Sequence, residues 1–322
     1  FYDQFADIPL LSRMDAVAET FIDEIETLLN RDLPEEERIP LIEKFRKMYE
    51  TMDFYVLYNR FLKKEGYQTL PRRPLEKRKL RYEDVYPVLY LKYRLSRQAE
   101  RSNIKHLVID EMQDYSLLQY LIIRRMFSCK MTILGDRAQT MADQQQDVLQ
   151  FLPGIFGKDR RRIEMRKSYR NTVEIASYAA NLIGVTDLEL FERHGMPVFE
   201  RDVTDLEAAL REAVDTLFPD EKTYETAAVI VPDEKTAERA YLILREILAE
   251  KDFDCEKRLS WLNRDSSSFK KGLTVTTFYL AKGLEFDQVF SIFPKDEKRE
   301  IMMQAQYIAA TRALHELRVY HI

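Results

Sequence analysis

The chain has 322 residues, of which 45% are hydrophobic and 33% charged, which is typical of about two folded domains and excludes a short linker or peptide. Its 50 basic and 55 acidic residues leave a formal charge of −5, so a basic footprint for nucleic acid can exist only as local patches. The eight glycines form neither Gly-x-x-x-x-Gly-Lys-Ser/Thr nor Gly-x-Gly-x-x-Gly, which excludes a Walker A phosphate loop and a dinucleotide loop within this chain.

Cysteine and histidine usage is sparse. Two cysteines and four histidines show no spacing typical of a zinc site or of a disulfide framework, which suits a reducing cytoplasm. No apolar run reaches the roughly 18 residues that a membrane span needs. We therefore expect a cytoplasmic protein with no membrane partner.

The first 65 residues show the apolar periodicity of two long amphipathic helices, broken at Pro34 and around Pro40. They form either the returning arm of an insertion or a bundle packed on the following domain. The segment Pro71–Arg81 then carries six basic residues and one acidic residue. Its prolines predict an exposed linker, and contacts to nucleic-acid phosphates or to an acidic protein surface are the alternative. A helix is predicted from Tyr82 to about Gln98.

Strands alternate with helices in the rest of the chain. The predicted strands are rich in Val, Ile and Leu and cover residues 104–109, 130–134, 227–231, 273–277 and 288–293; the predicted helices cover residues 116–127, 172–183, 235–250 and 302–314. This alternation predicts an α/β fold with parallel sheets, in which functional residues gather at the carboxyl ends of strands. We expect two α/β domains, residues 66–160 and 161–322, after a helical segment, residues 1–65.

The first candidate for chemistry is Asp110-Glu111-Met112-Gln113-Asp114, directly after a predicted strand. Adjacent carboxylates there suit phosphoryl transfer, because one can hold Mg²⁺ while the other orients and deprotonates a water molecule. Acidic residues after a strand are also common caps, and Asp114 with Ser116 can cap the next helix. Taken alone, this segment favours the capping interpretation.

Two more candidate segments follow along the chain. In Gly135-Asp136-Arg137-Ala138-Gln139, the amide of Gln139 can hydrogen-bond both a phosphate oxygen and a water molecule. In Tyr169-Arg170-Asn171, the ring can stack on a base and the guanidinium can contact a phosphate. By itself the first segment reads as an ordinary turn, and a lone Tyr-Arg pair carries no information.

The last two candidates lie near the C-terminal end of the sequence. The segment Thr276–Phe286 offers Lys282 and Glu285 to phosphate and sugar hydroxyls, on either side of the conformationally free Gly283. The segment Tyr307–Ala313 places Arg312 on a predicted helix. Each also has an ordinary structural explanation, and only the five segments together, in one order, argue for a nucleotide site.

In that order, the five segments resemble the later motifs of superfamily 1 helicases of the UvrD/Rep/PcrA type: DExQD, GDxxQ, the Tyr-Arg element, TxHxxKGLEF and VAxTRA. The resemblance covers roughly residues 104–322. Within this group the chain is most similar to the HelD type, helicase-like proteins associated with bacterial RNA polymerase, because its acidic segment continues as DEMQDYS and little space remains for an accessory insertion. The resemblance implies two RecA-like modules of the P-loop NTPase fold, the first one incomplete.

The resemblance also implies a role for each matching residue. Asp110 would coordinate Mg²⁺, Glu111 would be the catalytic base and Gln139 would sense the γ-phosphate. The remaining implied ATP contacts are Arg170 and Arg312 at the γ-phosphate, Glu285 at the ribose, Tyr169 near the adenine, and Gln113, Asp136, Lys282 and Gly283 elsewhere in the nucleotide site. Two positions depart from the family: Tyr279 replaces a His that contacts single-stranded DNA, and Asn171 replaces a Ser.

The expected activity is ATP hydrolysis with Mg²⁺, and the expected partners are single-stranded DNA and RNA polymerase. Because the family's Walker A loop is absent, we expect the chain to be a C-terminal fragment that is inactive alone. Two functions stay open: ATP-driven remodelling of RNA polymerase–nucleic acid complexes, and conventional 3′–5′ DNA unwinding in repair or replication. The negative charge and Tyr279 favour the first. The basic stretch Lys158–Arg170 and the single Trp261 can contact nucleic acid or serve as ordinary surface and packing residues.

Overall fold

The computed structural model describes residues 2–5, 7–96, 103–136, 139, 148–157, 161–165, 167–185, 189–218, 224–251, 253–266, 271–295 and 300–322. It has the predicted fold class, a mixed α/β fold with parallel sheets and a helical N-terminal segment. The chain divides into two units, the first formed by Phe1–Gly135 with Asp147–Arg160 and the second by Asp136–Gln146 with Arg161–Ile322. In the described part, no helix is both long and apolar enough to cross a membrane.

The N-terminal segment contains three helices, whereas the sequence predicted two. They are α1 (Leu10–Leu29), α2 (Glu35–Arg46) and α3 (Phe54–Lys64). The predicted break at Pro34 is confirmed, because this residue precedes the first turn of α2. The second break comes later than predicted, where the Asp53 side chain caps α3 by accepting a hydrogen bond from the Tyr55 N–H at 2.9 Å.

Pro40 lies inside α2 and does not end it, contrary to the prediction. A proline within a helix removes one backbone hydrogen bond. Ion pairs on both sides of Pro40 tie α2 to α1: Arg38 lies 3.0 Å from Glu26, and Arg46 lies 2.7 Å from Asp15. These contacts hold the helix across the proline.

Helix α4 (Tyr82–Leu95) packs against α3 around the buried residues Tyr55, Tyr58, Leu62 and Leu70. The carboxylate of Asp84, only 2% exposed, accepts hydrogen bonds from the Tyr58 hydroxyl at 2.8 Å and from Arg81 Nε at 2.5 Å. Burial alone would raise the pKa of Asp84, but the hydrogen bonds from Arg81 and Tyr58 outweigh it and lower that pKa below its ordinary value.

A strand-helix-strand unit completes the first part of the chain, as predicted. Strands β1 (His106–Ile109) and β2 (Lys130–Ile133) are parallel, with Ile109 opposite Ile133, and helices α5 (Leu117–Met126) and α6 (Val148–Phe156) pack beside them. Because the strands are parallel, the segments that follow them start at the same edge.

The second unit contains a six-stranded sheet in which all neighbours are parallel, in the order β5-β10-β9-β6-β8-β7. A short pair, β3 with β4, lies apart from it. The elements are β3 (Lys167–Ser168), α7 (Val173–Leu182), β4 (Glu189–Leu190), β5 (Phe199–Asp202), α8 (Leu206–Asp215), β6 (Thr226–Val231), α9 (Glu234–Ala249), α10 (Cys255–Arg258), β7 (Leu259–Trp261), β8 (Gly272–Thr277), β9 (Phe286–Phe293), α11 (Glu300–Ala310) and β10 (Ala313–His321).

Helices cover both faces of this sheet, as the pattern of apolar strands predicted. One apolar core lies between the sheet and helices α8 and α9, and a second contains residues of α7 and α11. Trp261 packs against the first core and stacks on Tyr241 with ring centroids 6.1 Å apart, which agrees with a packing role.

The end of the sequence differs from the prediction. The predicted helix 302–314 ends at Ala310, and residues 313–321 form strand β10, which lies between β5 and β9. Leu317, Val319 and Tyr320 of this strand are buried, and Tyr320 belongs to the first core while Leu317 and Val319 belong to the second. Burial on both faces of the sheet favours a strand over a helix here.

Candidate functional site

The acidic segment forms a tight loop after β1 in the first unit. Its Glu111 has a left-handed backbone, with φ 52° and ψ 51°, a conformation that is costly for a residue with a side chain. Asp110 accepts a hydrogen bond from the Glu111 N–H at 2.8 Å, and the Gln113 amide donates to the Glu111 carboxylate. Three of the predicted site residues are therefore brought together in one loop.

Helix α5 is capped by Ser116, as the capping interpretation predicted, together with Gln119. Ser116 accepts a hydrogen bond from the Gln119 N–H, and the Gln119 side chain accepts one from the Ser116 N–H at 2.6 Å, which is a reciprocal capping box. The Asp110 and Glu111 carboxylates stand outside this cap. The capping interpretation thus holds for Ser116, whereas the Asp110 and Glu111 carboxylates accept hydrogen bonds within the acidic loop itself.

Gly135 lets the acidic loop approach the end of β2. A Cβ atom at Gly135 would lie 2.4 Å from Met112 Cγ and 2.6 Å from the Met112 backbone nitrogen, closer than real Cβ contacts. The Met112 N–H donates to the Leu134 carbonyl at 2.8 Å, and the Tyr120 hydroxyl donates to the Met112 carbonyl at 3.0 Å. These contacts fix the loop that carries Asp110 and Glu111.

In the second unit, Arg312 is connected by hydrogen bonds to Gln139 and, through it, to Asp136, two residues of the candidate segment 135–139. Arg312 is 2% exposed and lies two residues after the end of α11, not on the helix as predicted. Its guanidinium donates to Gln139 Oε1 at 3.5 Å, while the Gln139 amide donates to Asp136 Oδ2 at 3.0 Å. The Tyr307 hydroxyl also donates to Asp136 Oδ2, at 3.3 Å. Arg137 and Ala138 of the same segment lie outside the described residues.

Tyr307 is a site residue that sequence reasoning did not single out. Its burial, followed by the charge of Asp136 and the hydrogen bond to it, raises the pKa of Tyr307, so it stays protonated and acts as a donor. The contact joins residues 171 positions apart in the sequence. No local pattern signals such a pair.

The Tyr-Arg-Asn segment is tied to the backbone on both sides of Arg312. The buried Asn171 amide donates to the Thr311 carbonyl at 3.2 Å and to the Ala313 carbonyl at 2.6 Å. Arg193, which the sequence did not indicate, donates to the Leu314 carbonyl at 2.7 Å and also to the Arg170 carbonyl. The structure thus gives Asn171, noted only as a departure from the family, a defined role in holding two arginine-bearing segments together.

Two residues that were predicted to contact the nucleotide, Arg170 and Glu285, form a salt bridge with each other. Arg170 Nε lies 2.5 Å from Glu285 Oε1, and both side chains are about half exposed. Tyr169 is exposed and its ring lies 5.6 Å from that of Phe191. Exposure leaves Arg170, Glu285 and Tyr169 accessible to a ligand.

Lys282 and Gly283 lie in the turn between β8 and β9. Gly283 has φ 76°, the left-handed region that glycine adopts without a steric cost. Of the basic stretch 158–170, residues 158–160 and 166 lie outside the described residues. The rest of its N-terminal half, Arg161–Met165, is exposed.

The acidic loop fits the type of site that Mg²⁺ uses with nucleotides. Among the described residues, no group of three or more His, Cys, Asp or Glu side chains is placed to hold a metal ion. Mg²⁺ does not require such a group, because it keeps several waters and binds one or two carboxylates together with substrate phosphates. Asp110, exposed at the end of β1, can provide such a carboxylate.

Residues 11–141 match the family model described as the UvrD/REP helicase N-terminal domain, about two fifths of the chain. The match spans helices α1–α5 as well as β1 and β2. This part of the chain is therefore similar to the N-terminal domain of UvrD/REP helicases. No curated protein matches the sequence.

Several solved helicase structures show weak similarity. The C-terminal domain of a possible DNA helicase from Lactobacillus plantarum WCFS1 is 24% identical, with a TM-score of 0.38, over 48% of this chain and 88% of that one. PRRSV helicase is 17% identical, with a TM-score of 0.37, over 67% and 35% of the two chains. Arterivirus nonstructural protein 10, a helicase, is 14% identical, with a TM-score of 0.36, over 83% and 50%. The chain thus spans half or less of these two viral proteins.

Proposed function

We propose that this chain carries the ATP-facing residues of a superfamily 1 helicase or translocase motor built from RecA-like modules. The observation that carries the proposal is the arrangement in the second unit. There Arg312 contacts Gln139, and the carbonyls on either side of Arg312 accept hydrogen bonds from Asn171, the residue after Arg170. Two arginines and a glutamine from three distant segments are thereby held in one unit. Such groups suit a phosphate that carries several negative charges.

The proposed chemistry follows from the side chains. Asp110 would hold Mg²⁺, which neutralises charge on the transferred phosphate and the leaving group. Glu111 would accept a proton from the attacking water, and the Gln113 amide, hydrogen-bonded to that carboxylate, would orient it. Gln139, Arg170 and Arg312 would contact the γ-phosphate. The other proposed ATP contacts are Asp136, Tyr169, Lys282, Gly283 and Glu285.

The role of Glu111 can be tested in the whole protein with Glu111→Gln. The amide cannot accept the proton, so turnover should fall by about 10²–10⁴-fold while ATP binding is retained. Steady-state ATPase rates and binding of a fluorescent ATP analogue measure the two effects. Glu83→Gln, at an exposed position on α4, is the matched control and should change neither. Unchanged turnover in Glu111→Gln would rule out Glu111 as the base.

For the whole protein we propose a function of the HelD type, in which ATP hydrolysis drives remodelling of RNA polymerase–nucleic acid complexes. The net charge of −5 and Tyr279, in place of a His that contacts DNA in the family, support this choice. The two free cysteines, Cys129 and Cys255, suit a cytoplasmic location. The second candidate is a UvrD-type 3′–5′ DNA helicase, which the match of residues 11–141 favours.

The two candidates differ in what stimulates the motor. A polymerase-remodelling factor should co-purify with RNA polymerase and show little stimulation of its ATPase by single-stranded DNA alone. A DNA helicase should show strong stimulation and directional unwinding without polymerase. Pull-down with purified RNA polymerase and a strand-displacement assay on the same preparation distinguish them.

A further inference from the structure

The segment Pro71–Arg81, which we call the basic loop, is the part of the first unit where positive charge is most concentrated. Its six basic residues and one acidic residue give it a formal charge of +5, so the remainder of the chain carries −10. A short segment of opposite charge to the rest of its chain is a local electrostatic site, even though the protein as a whole is acidic.

The basic loop is anchored, contrary to the expectation for a linker. At its start, Asn59 accepts a hydrogen bond from the Leu70 N–H at 2.7 Å and donates to the Leu70 carbonyl at 3.1 Å. The Tyr55 hydroxyl donates to the Pro71 carbonyl at 2.7 Å. At its end, Arg81 is held by the buried Asp84. Both ends are therefore fixed to helices α3 and α4.

Arg78 holds the middle of the loop. Its guanidinium lies 2.7 Å from the Asp53 carboxylate and 4.8 Å above the Tyr55 ring, and its Nε donates to the Arg73 carbonyl at 3.0 Å. A loop that is already ordered loses less conformational entropy when it binds a ligand. The prediction that this segment is exposed is confirmed. Its conformation is fixed by the contacts of Arg78 with Asp53, Tyr55 and the Arg73 carbonyl.

Two of the six basic residues, Arg78 and Arg81, are thus used within the unit. The other four are exposed, and none has a carboxylate partner within the described residues: Arg72, Arg73, Lys77 and Lys79. Unpaired cations on an ordered surface attract an anionic ligand without first breaking an internal ion pair.

Exposed aromatic residues flank these cations in the sequence. Tyr67, before the loop, is 64% exposed, and Tyr82, directly after it, is 78% exposed. Cations that follow a phosphate backbone, combined with rings on which bases stack, are the features of sequence-independent single-strand binding. An acidic protein surface would use the cations but has no need of two exposed rings.

We propose that the basic loop binds the phosphate backbone of single-stranded nucleic acid, with Tyr82 stacking on a base. The binding surface contains none of the residues assigned to ATP. It can therefore be tested on this chain without ATP turnover, and its outcome is independent of the Glu111 experiment.

The test measures binding of a fluorescein-labelled oligo(dT) of about 20 nucleotides by anisotropy, between about 50 and 200 mM salt. The loop variant changes all four unpaired cations to Gln. The control variant also changes two lysines and two arginines to Gln, but at exposed positions outside the basic loop: Lys44, Lys235, Arg239 and Arg245. Urea unfolding of both variants verifies that each is folded like the parent chain.

The loop variant should bind at least about tenfold more weakly, and the slope of log affinity against log salt should fall by roughly 0.7 for each phosphate that the loop no longer neutralises. The control variant should retain both the affinity and most of the slope. Tyr82→Ala should weaken binding while Tyr82→Phe retains it, because stacking needs the ring and not the hydroxyl. Equal affinities of the loop and control variants, or no binding by the parent chain, would overturn the proposal and point to an acidic protein surface as the partner.

Discussion

Asn171 determines how two arginines are placed relative to each other. Its amide carries two N–H donors, and these bind the carbonyls immediately before and after Arg312. Since Arg170 is its neighbour in sequence, a single buried side chain links both proposed γ-phosphate contacts. A serine hydroxyl at this position would have only one donor and a shorter reach.

We predict that Asn171→Ala lowers the free energy of unfolding by about 2 kcal/mol, because buried carbonyls lose their partners. Asn171→Asp should cost at least as much at neutral pH, since a carboxylate cannot donate to a carbonyl. Urea unfolding followed by circular dichroism measures both changes. Asn181→Ala, an exposed asparagine on α7, is the control and should change stability by less than about 0.5 kcal/mol.

Gly135 is a second position at which a single residue constrains the site, because no space is left for a Cβ atom there. We predict that Gly135→Ala destabilises the chain by about 1–3 kcal/mol, because the new methyl group meets the Met112 backbone nitrogen as well as its side chain. Gly154→Ala, in α6, meets open space and should be neutral or stabilise by up to about 1 kcal/mol. If the two variants have the same urea midpoint, the close approach at Gly135 does not constrain the acidic loop.

The sequence indicated the residue types of the site better than their contacts. Asp110 and Glu111 were singled out because five such segments occur together in one order, and the structure places both residues in one loop after β1. The left-handed backbone of Glu111, the Tyr307–Asp136 hydrogen bond and the bridging role of Arg193 could not, since each depends on segments distant in the sequence. The orientation of these side chains depends on contacts with residues far away in the sequence, which a local sequence pattern does not reveal.

At the scale of elements, a buried polar network joins helices α3 and α4. Tyr58 on α3 and Arg81 before α4 both donate to Asp84, which has little contact with solvent. A carboxylate in this position stabilises the helix pair only while both donors remain, because a buried charge without partners is costly. The network also fixes the end of the basic loop.

We predict that Asp84→Ala lowers the free energy of unfolding by about 3 kcal/mol and that Tyr58→Phe lowers it by about 1 kcal/mol. The control is Glu83→Ala at the adjacent exposed position, whose ion pair with Arg81 at 3.4 Å should contribute less than about 1 kcal/mol. Thermal and urea unfolding give the values. Equal effects of Asp84→Ala and Glu83→Ala would show that burial adds nothing to the pair.

Elements with a continuous apolar run or a clear helical periodicity were predictable, whereas strand β10, whose pattern is mixed, was not. The strands at residues 226–231, 272–277 and 286–293 follow the prediction to within two residues, because a strand buried on both faces needs a run of Val, Ile, Leu or Phe. Strand β10 carries His315, Glu316 and Arg318 among its apolar residues, so its pattern resembles the preceding helix. Its place between β5 and β9 depends on partners far away in sequence.

At the scale of the whole molecule, each unit holds its own share of the proposed ATP residues. The acidic loop belongs to the first, whereas Gln139, Arg170 and Arg312 belong to the second. The sequence of this chain contains no Walker A loop to hold the β- and γ-phosphates. Positioning of the phosphate supplies most of the rate in phosphoryl transfer, so we expect the remaining groups to be insufficient by themselves.

We predict that the purified chain hydrolyses Mg²⁺-ATP no faster than its own Glu111→Gln variant. A coupled-enzyme assay over a range of protein concentrations measures this background. ATP hydrolysis that scales with the chain and disappears in Glu111→Gln would contradict the prediction, and it would show that phosphate binding here does not need a glycine-rich loop.

Strand β10 has a consequence for how the second unit folds. It hydrogen-bonds β5, more than a hundred residues earlier, and β9 on its other side, so the six-stranded sheet is divided until these late residues are in place. Pairing of strands so far apart in sequence first costs the conformational entropy of closing a long loop, and stabilising contacts form only afterwards. This slows folding. During synthesis, α8, α9 and the strands around β6 can form while β5 stays unpaired. The exposed edge of β9 is therefore a transient risk for aggregation until residues 313–321 leave the ribosome.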